Sequence, residues 1–268
     1  MRVERDCDVY RPASVTSRSR ADTTVAPTNT MQFMSLTPDD IRDIVENTHI
    51  VRAPKQRLAT FGSTVVSYYV ITEPSFKGLP GGGEEPESVI RTGKVTAARP
   101  QIVTPNYLMN LFQGFEHGQD FARYIRSMYG ADAPGLMYSY RQEPGDTSVV
   151  SDGPEVVAGR IADQLERDDE NLAVVIRGID QFWDLSLAHF IHALTIGSAP
   201  GNVADFAQRG LFHSDRGIPR ATRDRIDSMM QQVANGELDA FELKTELDRW
   251  GLYDEYEDRF LGLFRRGR

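Results

Sequence analysis

The stretch LAVVIRGIDQFWDLSLAHFIHALTIG, residues 172–197, decides how this chain folds. Leu172, Val175, Ile176 and Ile179 recur at spacings of three, one and three, which suits a helix face, and the pattern extends through Phe182. The stretch is therefore expected to be helical from its start. A buried strand over residues 172–177 is the alternative, because periodicity does not separate the two in so short a run, and Gly178 weakens the helix.

From Trp183 onward the helical reading is firmer. Trp183, Leu187, Phe190 and Leu194 gather within an arc of about 60°, while His189 and His192 lie about 60° apart on the opposite side with Leu185 and Ile196. A helix apolar on both sides is expected to be buried on both, with Gly197 and Pro200 stopping it. Histidines buried there need hydrogen-bond partners for their ring nitrogens. A metal site needs three or four ligands, yet the positions four residues away are Leu185, Ala188, Ala193 and Ile196. Asp184 is rotated about 80° from His192, and His117, His213 and Asp215 are remote in sequence. His189 and His192 are thus read as structural, with a metal site as the minor alternative, and no motif calls for a cofactor.

Moving toward the N-terminus, residues 1–30 are polar and aperiodic and read as a disordered leader, or as sequence ahead of a true start at Met31 or Met34. Thr37 and Pro38 then open a helix to about Glu46. RLATFGSTVVSYYVITEP, residues 57–74, is a long strand bent near Gly62, followed by the exposed glycine-rich loop of residues 75–88. Residues 88–105 suggest a hairpin with Thr92-Gly93 at its turn. Thr104 and Pro105 open a helix ending near Gly114, a second carries Phe121 to Met128 before Gly130, and residues 136–144 read as a short strand.

Beyond Pro154 the signals are almost all helical. Helices are expected after Asp152, from Asn202 to Gln208, after Pro219, over Leu238–Trp250 and over Tyr253–Phe264. The expected architecture is α+β: a small antiparallel sheet with helices in the N-terminal half and a mostly helical C-terminal half. The division expected is a leader over 1–34, a mixed subdomain over 35–150 and a helical subdomain over 151–268.

The 268 residues include one cysteine, Cys7, so no intramolecular disulfide and no cysteine-based zinc cluster can form, which fits a reducing cytoplasm. The first residues carry mixed charges and no apolar core of a secretory signal. Leu185 to Ala204 is uncharged but holds too many polar residues for a membrane span. Net charge is −9, and residues 151–268 hold twenty-two acids against fourteen bases, which disfavours nucleic acid.

Catalytic patterns fail on inspection. FHSDRG, residues 212–217, holds triad residue types that cannot serve one another as sequence neighbours, and no GxSxG occurs. GLPGGGEEPES lacks the lysine of a phosphate loop and carries three glutamates. Paired acids are explained by capping and solvation. Tyr68 and Tyr69 must face opposite sides of their strand, one into the core. Tyr253, Tyr256, Phe260 and Phe264 form a terminal stripe that either docks on its own bundle or serves as an interface.

The function expected is association, as a cytoplasmic regulatory, adaptor or self-assembling factor with a protein partner or a second copy, and with neither nucleic acid nor membrane. The alternative is an enzyme or ligand-binding protein whose pocket lies between the sheet and the helical half. Its lining would draw on Tyr68, Tyr69, Arg99, Asp184, His189 and His192.

Overall fold

The computed structural model describes residues 37–75, 85–111 and 118–265. The leader with Cys7, Met31 and Met34, the glycine-rich residues 76–84, Phe112, Gly114, His117, Arg266 and Arg268 lie outside them. Within the described residues the chain is α+β, about 51% helical and 25% strand.

The first helix, α1 (Pro38–Glu46), begins at the proline marked by sequence and leads into the edge strand β1 (His49–Arg52). Strand β2 (Thr64–Glu73) is shorter than the run from 57 and starts beyond Gly62. Strand β3 (Ser88–Ala97) is one continuous strand, so the turn expected at Thr92-Gly93 does not exist. Its hairpin partner is β2, and Tyr68 pairs with Gly93 across the ladder. A Cβ on Gly93 would lie 2.5 Å from Tyr68 Cζ and 2.6 Å from the Glu143 carbonyl oxygen. The glycine marks a close approach of tyrosine and backbone, the other meaning that glycine has in a strand pattern.

Next come β4 (Gln101–Val103), α2 (Pro105–Leu111) and α3 (Gly118–Tyr129). The Thr104 hydroxyl caps α2 by accepting the Tyr107 N–H at 3.3 Å, and Gly130 ends α3 in the left-handed region at φ 88°. Strand β5 (Gly135–Met137) pairs with β4, and β6 (Tyr140–Val150) runs further than expected, as an edge strand exposed from Arg141 to Val149 that passes through Pro144. Helix α4 (Pro154–Arg167) follows.

Residues 173–179 form strand β7 (Ala173–Ile179), which corrects the helical reading of that run. β7 lies between β1 and β2, parallel to β2 and antiparallel to β1, in a five-stranded sheet ordered β1-β7-β2-β3-β6. Ala173 and Val175 point into the cluster under α4, while Val174 and Ile176 point into the opposite cluster. A strand buried on both faces needs an unbroken apolar run, which is why LAVVI shows no period of two.

After a single turn of 3-10 helix (Asp180–Phe182), α5 runs from Trp183 to Gln208. It does not stop at Gly197 or Pro200, and the expected short helix from Asn202 is its last part. Side chains and backbone from residues 57–60 hold the second half of α5: the Leu58 N–H donates to Ser198 Oγ at 3.0 Å, and the single Thr60 hydroxyl proton is shared between Asn202 Oδ1 at 3.0 Å and Asp205 Oδ2 at 2.6 Å. These tertiary bonds offset part of the about 3 kcal/mol that a proline costs inside a helix.

The short strands β8 (Ser214–Asp215) and β9 (Ile218–Pro219) precede α6 (Arg220–Ala234), α7 (Ala240–Trp250) and α8 (Tyr253–Arg265). Asp239 caps α7 by accepting the Phe241 N–H at 2.8 Å, and Gly251 closes it in the left-handed region. Three cores result: α4 on one face of the sheet, α5 on the other, and a cluster joining α2, α6, α7 and α8 around Leu243, Leu247 and Ile226.

Candidate functional site

Helix α5 is the element on which surface and core diverge most. Leu187 and Phe190 are buried against Val66, Tyr68, Val70 and Val174, with Trp183 and Leu194 packed beside them, so the expected sheet-facing side is the side that packs. The opposite side is open, which corrects the expectation of burial on both. Ser186 is covered through its hydroxyl contact with Thr48 at 2.8 Å, where α1 meets β1. Beyond that turn the cover ends.

Ala193, Ile196, Gly197, Pro200, Val203, Ala204 and Ala207 are all exposed, and at about 100° per residue they fall within an arc of about 120°. Ile196 is 60% exposed and Val203 44%. Between Leu185 and Ala204 the helix carries no charged side chain. A helix that is apolar all round normally sits in an interior, so this outer stripe is a surface that water covers at a cost. Beside it lies a shallow cleft of about 300 Å3 between residues 50–57 and the helix, lined by Ile50, Ala53, Pro54, Ala193, Leu194 and Gly197 among others.

A polar network anchors the stripe from the flank. Arg57 donates to Asn202 Oδ1 at 3.1 Å and to Asp205 Oδ2 at 2.8 Å, and Thr60 Oγ1 donates to the same Asp205 oxygen at 2.6 Å. Those Thr60 and Arg57 hydrogen bonds hold the Asp205 carboxyl below its ordinary range. Asn202, fully buried, donates to Tyr138 Oη at 3.1 Å, and burial pushes the Tyr138 phenol up. Arg57 can lie on the helix because residue 201 is glycine: a Cβ there would be 2.7 Å from the guanidinium carbon.

His189 is half-buried and His192 exposed, so neither is the buried structural histidine expected. Among the described residues no three His, Cys, Asp or Glu side chains gather as a metal site. The residues proposed to share a ligand pocket are dispersed. Tyr68 is 1% exposed and packs against Trp183, its hydroxyl accepting from Gln142 at 3.2 Å. Tyr69 points to the other face, beside the α4 cluster, as strand alternation requires. Arg99 lies over Phe61, 5.5 Å from the ring centre, and Asp184 is exposed in the first turn of α5. In the terminal stripe, Tyr256 and Phe260 are buried in the helical cluster with Tyr253 packed against it, leaving Phe264 exposed at 57%.

Sequence reasoning singled out His189 and His192 on this helix side but passed over Ala193, Gly197, Pro200 and Val203. The signal was present: the uncharged run of Leu185–Ala204 has too many polar groups for a lipid interior and too few charges for a solvated helix face. No helix among the described residues is long and apolar enough to cross a membrane. Compared with known proteins, the chain matches no family model, no curated protein and no solved structure.

Proposed function

We propose that this protein works by association, as a cytoplasmic regulatory, adaptor or self-assembling factor, and that the outer stripe of α5 is the surface it uses. The observation that carries the reading is the exposure of Ile196 and Val203 on a helix uncharged from Leu185 to Ala204. The aromatic stripe of α8 supports it less, because Tyr256 and Phe260 are consumed by their own core. A photo-crosslinking residue placed at Ile196 in the full chain should trap an adduct of discrete mass in cell extract. Phe241, 74% exposed on α7 near Asp239 and Glu242, is the control. Trapping at 196 no greater than at 241 overturns the reading.

One observation favours a second reading, the binding of a small ligand. A cleft of about 420 Å3 lies between residues 98–102 and helices α6 and α7, lined by Arg99, Thr222, Arg225 and Trp250 among others. The Thr222 hydroxyl is buried there without a hydrogen-bond partner among the described residues, a position that a ligand's polar group would relieve. A thermal-shift screen should find a compound that stabilises the wild type but not Thr222→Val. A screen with no such compound removes this reading.

A further inference from the structure

We infer that the cleft between residues 98–102 and helices α6 and α7 takes a small zwitterion of the amino-acid type with an apolar side chain, its carboxylate held by Arg99 and Thr222 and its ammonium by Asp224. This rests on the reading of that cleft as a ligand site and names the class of ligand.

Two arginines line the cleft, and their charges are met differently. Arg225 donates across it to the Gln101 side-chain oxygen and pairs with the buried Glu246 at 3.2 Å, so its charge is answered within the protein. Arg99 lies over the Phe61 ring and has no ion pair among the described residues. Asp224 and Glu242, exposed on the α6 and α7 walls, have none there either. The free ionic groups are thus one cation on the wall of residues 98–102 and two anions on the helical wall. Within reach of one another they would pair; the width of the cleft keeps them apart. A lone carboxylate would be repelled by the acids and a lone amine by Arg99, whereas a molecule carrying both charges complements both walls.

Thr222 marks where the carboxylate sits. The residue is 4% exposed, and its hydroxyl oxygen is buried without a hydrogen-bond partner among the described residues. Threonines in helices use two χ1 rotamers, and changing between them exchanges methyl for hydroxyl at the cleft wall, which offers a donor to an incoming oxygen. The first two N–H groups of α6, on Arg220 and Ala221, are spent on the His213 and Leu211 carbonyls, so side chains make the contact. Arg99 belongs to the same end. The Phe61 ring under it lies 5.4 Å from that of Phe206, and the Phe206 carbonyl accepts the N–H of the same Leu211 that holds Ala221.

The spacing suits one amino acid. At about 100° per residue, Thr222 and Asp224 stand about 160° apart on α6, on the two margins of a helix about 10 Å across. Two hydrogen bonds of about 3 Å each, joined by the ammonium-to-carboxylate span of an α-amino acid, bridge that width, and the small Ala221 on the face between leaves the room. Ile102, Phe206 and Trp250, all buried, seat the apolar side chain. The volume of about 420 Å3 falls in the lower part of the range of small-molecule sites, about 300–1,000 Å3.

The test is calorimetric titration of the full chain with L-phenylalanine and L-leucine, each beside its analogue lacking the ammonium and its analogue lacking the carboxylate. One of the amino acids should bind at one site per chain, about tenfold or more tighter than either of its analogues. Arg99→Gln should weaken the amino acid and the acid analogue about tenfold but leave the amine analogue unchanged, and Asp224→Asn should do the reverse. Thr222→Val should weaken the amino acid about fivefold and Thr222→Ser should restore it. The free Thr222→Val protein should melt at or above the wild type, because it loses a buried hydroxyl that has no partner. An acid or amine analogue that binds as tightly as its amino acid overturns the zwitterion and leaves the cleft a ligand site. Binding indifferent to both Arg99→Gln and Asp224→Asn overturns the inference as well. No binding by any of the six molecules also overturns it; a screened compound that needs Thr222 would then preserve the ligand reading alone, and a blank in both experiments removes both.

Discussion

Gly178 of β7 lies against Ser186 of α5 so closely that a Cβ on the glycine would fall on the serine hydroxyl and stand 2.9 Å from its Cβ. This contact sets how near α5 comes to the sheet, and the Ser186 hydroxyl in turn meets Thr48. Gly178→Ala should therefore push α5 outward and cost about 1–3 kcal/mol in overpacking. Urea unfolding checks it, and Gly178→Ala combined with Ser186→Ala should recover part of the loss. A wild-type midpoint for Gly178→Ala alone would show that the contact sets nothing.

The two sides of α5 should respond unequally to truncation. Phe190→Ala removes a ring buried against the sheet and should cost about 3–5 kcal/mol. Ile196→Ala in dilute solution should stay within about 0.5 kcal/mol, as for an exposed position. Equal losses at the two positions would mean that the outer stripe is packed in the monomer.

Asp180 accepts hydrogen bonds from Thr72 Oγ1 and Arg91, each at 2.7 Å, and from the Ser75 N–H at 3.2 Å. Burial works to raise its pKa, but the hydrogen bonds from Thr72, Arg91 and Ser75 and the Arg91 charge outweigh it, leaving the carboxyl below its ordinary value. The sign follows from linkage. A depressed carboxyl stabilises the fold fully above its unfolded value, and that contribution is lost as pH falls through the folded value. Stability of the wild type should thus drop more steeply on the acid side than that of Asp180→Asn, the two converging at low pH. Parallel acid limbs in a pH series of denaturant melts would refute the assignment.

Glu246, 3% exposed, gathers four groups in the helical cluster. It accepts from Tyr107 Oη at 3.3 Å and Trp250 Nε1 at 3.1 Å, and pairs with Arg225 at 3.2 Å and Arg249 at 3.5 Å. Glu246→Gln keeps the shape but removes the charge that both arginines face. Because those arginines are more than a third exposed, solvent offsets part of the loss, and a cost of about 1–3 kcal/mol is expected. A melting temperature equal to wild type would show the carboxylate to be dispensable.

The parts of the fold legible from sequence were those fixed by local chemistry. Thr104-Pro105, Gly130 and Gly251 mark helix ends because caps and left-handed glycines act within a few residues. The misread parts depend on distant partners. LAVVI becomes a strand only because β1 and β2 flank it, and Gly93 sits mid-strand only because Tyr68 lies across it. Pro200 stays inside a helix because residues 57–60 hold that helix down. The helix side carrying His189 and His192 was legible as apolar, but whether another element covers it is a tertiary fact that no periodicity encodes.

Pro144 bears on how copies of this chain can accumulate. It offers no N–H to an incoming strand, and Arg141, Glu143 and Asp146 stand exposed beside it on the edge strand β6. Lateral growth of the sheet, the open-ended route that leads to fibrils, is therefore obstructed at that edge. Crowded copies thus find no ladder to extend along β6, because the proline and the charged side chains beside it interrupt the row of pairing groups.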